Sequence, residues 1–457
     1  MGMKAADRLA DYVWQARFGD FPAQVIVKAK ELILDSVGCA LGATQTQTGK
    51  TYVKLAAALG GPAEATVIGG RAKVSHPRAA FVNSHLANLL DFDDTHDVYP
   101  PGHPGCLIIP SALAVAEVVG ASGKELLTSV VLGYEVTLRL GRALGSNLWQ
   151  AGHLPLTSLV GPAVAAAKLL GLDGDMVRNT LDILTLQSGL TVAAPRRRKA
   201  DISSSLTLGN LKGGYGKAAE QGVLAAWEAK AGLTGNAGLL DLDLTDWFLL
   251  GLPVPGYDLL TDELGKAYWI MDMSLKPTPS CRWTHPAITA VWQALDNRAV
   301  RADEVSEVII IGVERLQRYE WDTMLEAQFS LPCALALAMV GAEPGPGWYT
   351  TGRFKEADIR ELASRVTYVR DPEAEALEIR DSRMTCAVEV VFEDGQTRSS
   401  RAESVKGAPD NPMSRDEVLA KFAANASFMT DVQIDGVIGK VEDLEEMEEV
   451  GALLGEC

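Results

Sequence analysis

The chain has six histidines, His76, His85, His96, His103, His153 and His285, and their surroundings differ. His96 and His103 sit in the stretch DFDDTHDVYPPGHPG, between two helical segments. His153 follows Ala151-Gly152 at a helix–loop junction, and His285 closes LKPTPSCRWTH. Imidazole exchanges protons near neutral pH, and a histidine on a loop rich in Asp, Gly and Pro suits proton transfer better than one on an apolar helix face. His103 and His153 fit that description best. The others read as surface or satisfied structural histidines. Asp93 or Asp94 would accept a hydrogen bond from an imidazole and raise its basicity, or would cap the following helix.

The same acidic stretch invites a second reading. Asp93, Asp94, His96 and Asp97 are donor types that suit several divalent ions. Their spacing matches neither HExxH nor an EF-hand loop, so no metal is expected. Lys212 lies in a glycine-rich approach to a helix (LGNLKGGYGKAAEQG), and Lys276 stands between Leu275 and Pro277. Either could pin a substrate carboxylate, against the ordinary reading of surface lysines. Arg196-Arg197-Arg198-Lys199 reads as a solvated loop or, more sharply, as a carboxylate-binding one, because guanidinium groups grip carboxylates bidentately. The glycine-rich stretches Gly60–Gly70 and Gly213–Gly216 lack the GxGxxG pattern, and neither GxxxxGK[ST] nor GxSxG occurs. Nucleotide binding and a serine hydrolase triad are therefore without support.

These residues need a large scaffold. The chain has 457 residues, 47% hydrophobic and 22% charged, which predicts a folded protein of two or three domains. Forty-two basic against fifty-nine acidic residues give a net charge of −17, which disfavours nucleic acid as a partner. An anionic substrate would then need a local basic pocket. No apolar run reaches the ~18 residues of a membrane span, and the N-terminus lacks a signal-peptide apolar region. The expectation is a cytoplasmic protein with no membrane partner. Six cysteines without CxxC spacing predict free, mostly buried thiols.

Helical patterns fill the first ~265 residues. Asp20 with Pro22 marks a start, and Val25, Ala29, Leu32 and Ser36 keep helical spacing, with Gly38, Ala40 and Gly42 allowing close contact. Further helices are predicted over 110–119, 124–140, 162–170, 175–187 and 218–230. Beyond Leu260 the pattern changes. Strands are predicted over 305–313, 366–369 and 386–392, the last ending in the hairpin signal Glu393-Asp394-Gly395. Helices near 286–295, 330–340 and 356–364 lie between them, and another covers 414–424. The acidic end, Glu442 to Glu449, reads as a solvated helix face or a frayed end.

Taken in order, several segments resemble the MmgE/PrpD family: AKELILDSVGCALGA, AAFVNSHLANLLDFDDTHD, GHPGCLIIPSALAVAE, GKAAEQGVLAAWEAKAGLTG, SLKPTPSCRWTHPAI and KGAPDNPMSRDEVLAKF. The resemblance implies a mainly α protein: a large all-helical domain plus a smaller α+β lid domain. The expected division is 1–267 for the helical domain, 268–404 for the lid and 405–457 for a segment returning to the helical domain. It further implies a homodimer that uses neither metal nor organic cofactor. Asp93, His103, His153, Lys212 and Lys276 would line the pocket, with Thr95 and Arg282 beside them. The chain departs from the family pattern at Asn88, where a histidine is common, at Asn83-Ser84, where NG is common, and at Cys333, where a tyrosine is common.

The family's reactions break a bond beside a carboxylate-bearing carbon. Histidine suits the proton transfer, and lysines suit the developing negative charge. The expectation is therefore a lyase acting by His103 and His153 acid–base chemistry with Asp93 orienting a histidine. Dehydration of a small hydroxy-di- or tricarboxylate such as 2-methylcitrate is favoured. The alternatives are decarboxylation of a cis-aconitate-like acid, epimerisation of an iminodisuccinate-like acid, and a catalytically idle carboxylate-binding homologue.

Overall fold

The computed structural model describes residues 4–70, 73–98, 102–144, 156–187, 210, 212–236 and 256–455. The protein is mainly α, with a smaller α+β part in its C-terminal third. The helix Ala23–Thr44 begins just after Pro22, whose fixed φ suits a helix start, and it buries Val25, Ala29, Leu32 and Ser36. Burial of a side chain the size of Val25 or Leu32 contributes ~1.5–3 kcal/mol. Gly38 lets the Arg415–Asn425 helix approach closely: a Cβ there would lie 2.8 Å from the Phe422 ring. The C-terminal segment thus packs on a helix from the start of the chain.

The helices His76–Leu89, Gly105–Val119, Gly123–Leu144, Leu156–Leu169 and Tyr215–Lys230 pack on one another around a continuous apolar core. Two of them start earlier than the sequence patterns predict. Pro110 and Pro162 lie inside helices that begin at Gly105 and Leu156, whereas each was expected to open one. A proline in a helix interior removes one hydrogen bond, and here both helices continue through it.

The α+β part carries a four-stranded sheet ordered β6-β5-β7-β8, with β5 Val305–Gly312, β6 Val366–Arg370, β7 Cys386–Phe392 and β8 Thr397–Ala402. β5 pairs with β6 in parallel and with β7 antiparallel, and β7 turns into β8 at Gly395, whose φ is 84°. Two two-stranded ribbons complete the strands: β1 Ala65–Thr66 with β2 Lys73–Val74, and β3 Thr95–His96 with β4 Met273–Ser274. The second ribbon ties the DFDDTH stretch to the segment carrying Lys276.

The acidic end is not frayed. Glu442, Asp443, Glu446, Glu448 and Glu449 are exposed, but Glu445 pairs with Lys30, and Leu444, Val450, Leu453 and Leu454 are buried. Val450 N–H donates to Ala121 O, and Gly123 N–H donates to Met447 O. Cys39, Cys106, Cys281, Cys333 and Cys386 are free and buried. Among the described residues, no helix is long and apolar enough to cross a membrane.

Candidate active site

The site is built on the end of the His76–Leu89 helix. Asp91 then adopts a left-handed conformation, φ 53°, which is costly for a residue with a Cβ. Beyond it the chain bends again at Asp93 before the short strand Thr95–His96. Asp91 and Asp93 face a group of cations and His103, whereas Phe92 and Asp94 face the protein interior behind them.

Four side chains from distant segments satisfy the carbonyls at this helix end. Lys212 Nζ donates to Asn88 O at 2.9 Å, and Gln328 Nε2 to Leu89 O at 3.0 Å. Lys276 Nζ donates to Asp91 O at 2.9 Å, and Lys421 Nζ to Phe92 O at 2.6 Å. Exposed carbonyls at a helix C-terminus carry partial negative charge, so ammonium groups are favoured there.

Asp91 Oδ1 is the hub. Lys276 Nζ lies 2.5 Å from it, Lys212 Nζ 2.9 Å, and His103 Nε2 3.9 Å. Burial opposes ionisation of Asp91, but the two ammonium groups and His103 outweigh it and hold the carboxyl well below its ordinary range. Burial likewise opposes charge on Lys276, and Asp91 and Asp93 overcome it, raising that ammonium's pKa. Asp93 is also driven below its usual range: burial works against it, His103 and the lysines for it.

His103 Nδ1 lies 3.2 Å from Asp93 Oδ2 and 3.2 Å from the carbonyl of Asp94. Both neighbours are acceptors, so the Nδ1 position carries the proton. Nε2 is then the nitrogen left for proton transfer, on the side of Asp91. One fifth of the His103 side chain is exposed, more than for Lys212 at 8% or the fully enclosed Lys276. The ring of Tyr215 meets the imidazole edge-on at 6.0 Å. Asn88 Nδ2 donates to Asp93 Oδ2 at 2.9 Å, so one of the positions departing from the family pattern lies inside the site. Cys333, another, is buried in the Leu331–Met339 helix.

Asp94 takes no direct part. Its carboxyl accepts a hydrogen bond from Tyr134 Oη at 2.8 Å, and burial together with the charge of Asp93 pushes its pKa up to about 8. Gly105 is required beside it, because a side chain there would collide with Asp94 and Tyr134.

The structure brings together Asp93, His103, Lys212 and Lys276 as expected from sequence. Thr95 and Arg282 are engaged elsewhere. Thr95 Oγ1 donates to Gly102 O at 3.2 Å, beside His103 in the chain. Arg282 Nη2 lies 2.6 Å from Asp97 Oδ2, its Nε is 3.1 Å from both Asp97 oxygens, and Ser274 Oγ donates to Asp97 at 2.7 Å. His153 and Arg196–Lys199 lie outside the described residues. Sequence reasoning missed Asp91 as a site member. No spacing pattern announces it, because its place in the site follows from the left-handed backbone at the helix end.

Asp91, Asp93 and His103 each offer one ligand atom, all within 4.8 Å of one another, as a cation site would. The donor set fits such an ion poorly. The Asp91 carboxylate already carries two ammonium groups on its Oδ1, which would repel a divalent cation.

Two family models cover most of the chain. The MmgE/PrpD N-terminal domain matches residues 7–245, and the MmgE/PrpD C-terminal domain matches residues 278–444. The chain belongs to the MmgE/PrpD family. Similar members of the family include the cis-aconitate decarboxylase of Homo sapiens, 27% identical over 96% of this chain and 91% of that protein. The cis-aconitate decarboxylase of Mus musculus is 28% identical over 94% of this chain and 88% of its own length. That of Aspergillus terreus is 23% identical over 93% and 89%. The C-terminal family model runs through both the sheet and the Arg415–Asn425 helix that returns to the N-terminal half.

Proposed function

We propose that this MmgE/PrpD protein is a cofactor-independent lyase for a small di- or tricarboxylate, and that its reaction is decarboxylation of a cis-aconitate-like acid. The observation that carries the reading is the Asp91–Lys212–Lys276–His103–Asp93 cluster in a chain similar over nearly its whole length to cis-aconitate decarboxylases. The relatives favour decarboxylation over the 2-methylcitrate dehydration expected from sequence.

In this mechanism Lys212, the more exposed lysine, takes a substrate carboxylate with its remaining N–H. Lys276 acts through Asp91. The bond to the departing carboxylate breaks to release CO2, and its electron pair stays on the carbon skeleton, spread toward a neighbouring carboxylate that the lysine neutralises. His103 Nε2 takes up a proton from solvent and delivers it to the skeleton carbon that holds the electron pair, and Asp93 stabilises the imidazolium that precedes delivery. His153 is the second acid–base candidate. The reading includes a homodimer in the cytoplasm.

The test is an NMR time course in D2O with cis-aconitate, citrate, 2-methylcitrate and iminodisuccinate supplied separately. Loss of one carboxyl carbon from cis-aconitate, with deuterium on the product carbon, is the expected result. Loss of water from 2-methylcitrate with all carbons retained would replace decarboxylation by dehydration. Thermal stabilisation by cis-aconitate without turnover would instead mark a carboxylate-binding protein.

A further inference from the structure

The peptide between Asp91 and Asp93 is held from behind by a residue of the C-terminal segment. Lys421 Nζ lies 2.6 Å from Phe92 O, 2.5 Å from Asp35 Oδ1 and 4.1 Å from the centroid of the Phe92 ring. Lys421 is 6% exposed and Asp35 4%. Three segments widely separated in sequence therefore meet at the acidic turn.

We propose that Lys421 is a positioning residue for the reaction: by holding the Phe92 carbonyl it fixes the spacing of Asp91 and Asp93, and through Asp93 the aim of His103. Asp91 sits in a backbone conformation that persists only where its surroundings over-determine it. Lys276 secures the carbonyl on one side of the Asp91–Phe92 peptide step, and Lys421 secures the next. Phe92 is thus gripped at both its carbonyl and its ring by one ammonium group. Stability does not account for that ammonium group. A buried Lys–Asp pair is commonly matched or bettered by apolar side chains of the same volume. What an apolar residue could not do is bond the Phe92 carbonyl.

The kinetic arm of the test rests on the lyase reading; the spectroscopic arm does not. Two variants are compared, Asp35→Asn and Asp35→Asn/Lys421→Met. Both remove the ion pair, and only the second frees the Phe92 carbonyl. The single variant is expected to keep kcat for cis-aconitate within about threefold, and the double variant to lose about 100-fold in kcat with little change in KM, as a misplacement of about 1 Å does. The ring Nδ1–H resonance of His103, in 15N-histidine-labelled protein and assigned by its absence from His103→Asn, is expected to move in the double variant only.

A folded double variant with wild-type kcat and an unmoved resonance would overturn the proposal. So would an equal loss in Asp35→Asn, which would assign the effect to the ion pair. If the wild type turns over no acid, the lyase reading fails and the resonance still decides the role of Lys421. If the double variant does not fold, Lys421→Arg, which keeps the charge but moves the donor, takes its place. Unchanged kcat and resonance there would equally reject the assignment.

Discussion

Lys276 Nζ meets Asp91 twice, at 2.5 Å from the Asp91 carboxylate Oδ1 and at 2.9 Å from the Asp91 backbone carbonyl. One enclosed ammonium group thereby neutralises the carboxylate and pins the left-handed residue that bears it. Asp91→Asn would keep the shape and remove the charge, leaving Lys212 and Lys276 without their common counter-ion. Breaking one side of a buried ion pair costs about 3–5 kcal/mol, so a large fall in thermal midpoint is expected by calorimetry. A midpoint equal to wild type would mean that the lysines find another anion.

The pH dependence of that stability has a definite sign. Asp91 and Asp93 are held below their ordinary range in the fold, so both contribute stability above the unfolded carboxyl value of about 3.9. The contribution is lost as pH falls below that value toward their folded-state values. Urea titrations of wild type and Asp91→Asn at neutral pH and near pH 3 should show the gap between them narrowing in acid.

Asp94 behaves oppositely. Its folded-state value of about 8 means that the folded protein keeps a proton there that the unfolded chain releases near pH 4. Stability from this group is complete below the unfolded value and declines as pH rises to about 8, by at most about 1.4 kcal/mol per pH unit. Asp94→Asn removes that decline. The stability difference between wild type and variant should shrink or reverse from pH 5 to pH 8. A constant difference would show that Asp94 is already ionised in the fold.

His103→Gln keeps a polar side chain of similar reach but cannot carry a proton through the reaction. General acid–base groups contribute about 10²–10⁴-fold, and a loss of that order in kcat is expected. The variant should fold normally, since one fifth of the His103 side chain already faces solvent. Circular dichroism and turnover of cis-aconitate together check both halves.

Arg282 and Asp97 should be coupled to each other rather than to substrate. A double-mutant cycle with Arg282→Met and Asp97→Asn is expected to give an interaction energy in folding of about 0.5–3 kcal/mol. An Arg282→Met protein with wild-type stability and a KM raised more than tenfold would restore the carboxylate-binding role expected from sequence.

Much of the scaffold was legible because helical spacing is a strong signal. Val25, Ala29, Leu32 and Ser36 all lie on the buried side of the first long helix. His103, Lys212 and Lys276 stood out by residue type against polar or glycine-rich surroundings. Arg282 shows what was not legible. Its residue type beside an acidic motif reads as a substrate clamp, and nothing in the spacing shows that β3 and β4, two residues each, bring Asp97 beside Ser274 and Arg282. Pairing that short leaves no periodicity to read. Asp91 was hidden differently: its importance comes from a change of backbone hand at a helix end, which a non-glycine residue does not announce. The early starts at Gly105 and Leu156 were masked because proline is normally read as a helix opener.

Of the four side chains that close the helix end at Asn88–Phe92, Lys276, Gln328 and Lys421 come from the second half of the chain. A growing polypeptide stopped before residue 421 could fold its early helices, yet it would hold an unfinished acidic turn. Turnover would therefore report completed assembly, since a polypeptide that stops short of residue 421 lacks one of the contacts that finish the turn. Two separately made halves, one ending in the 237–255 region and one beginning there, would each be inert and would gain activity only on docking.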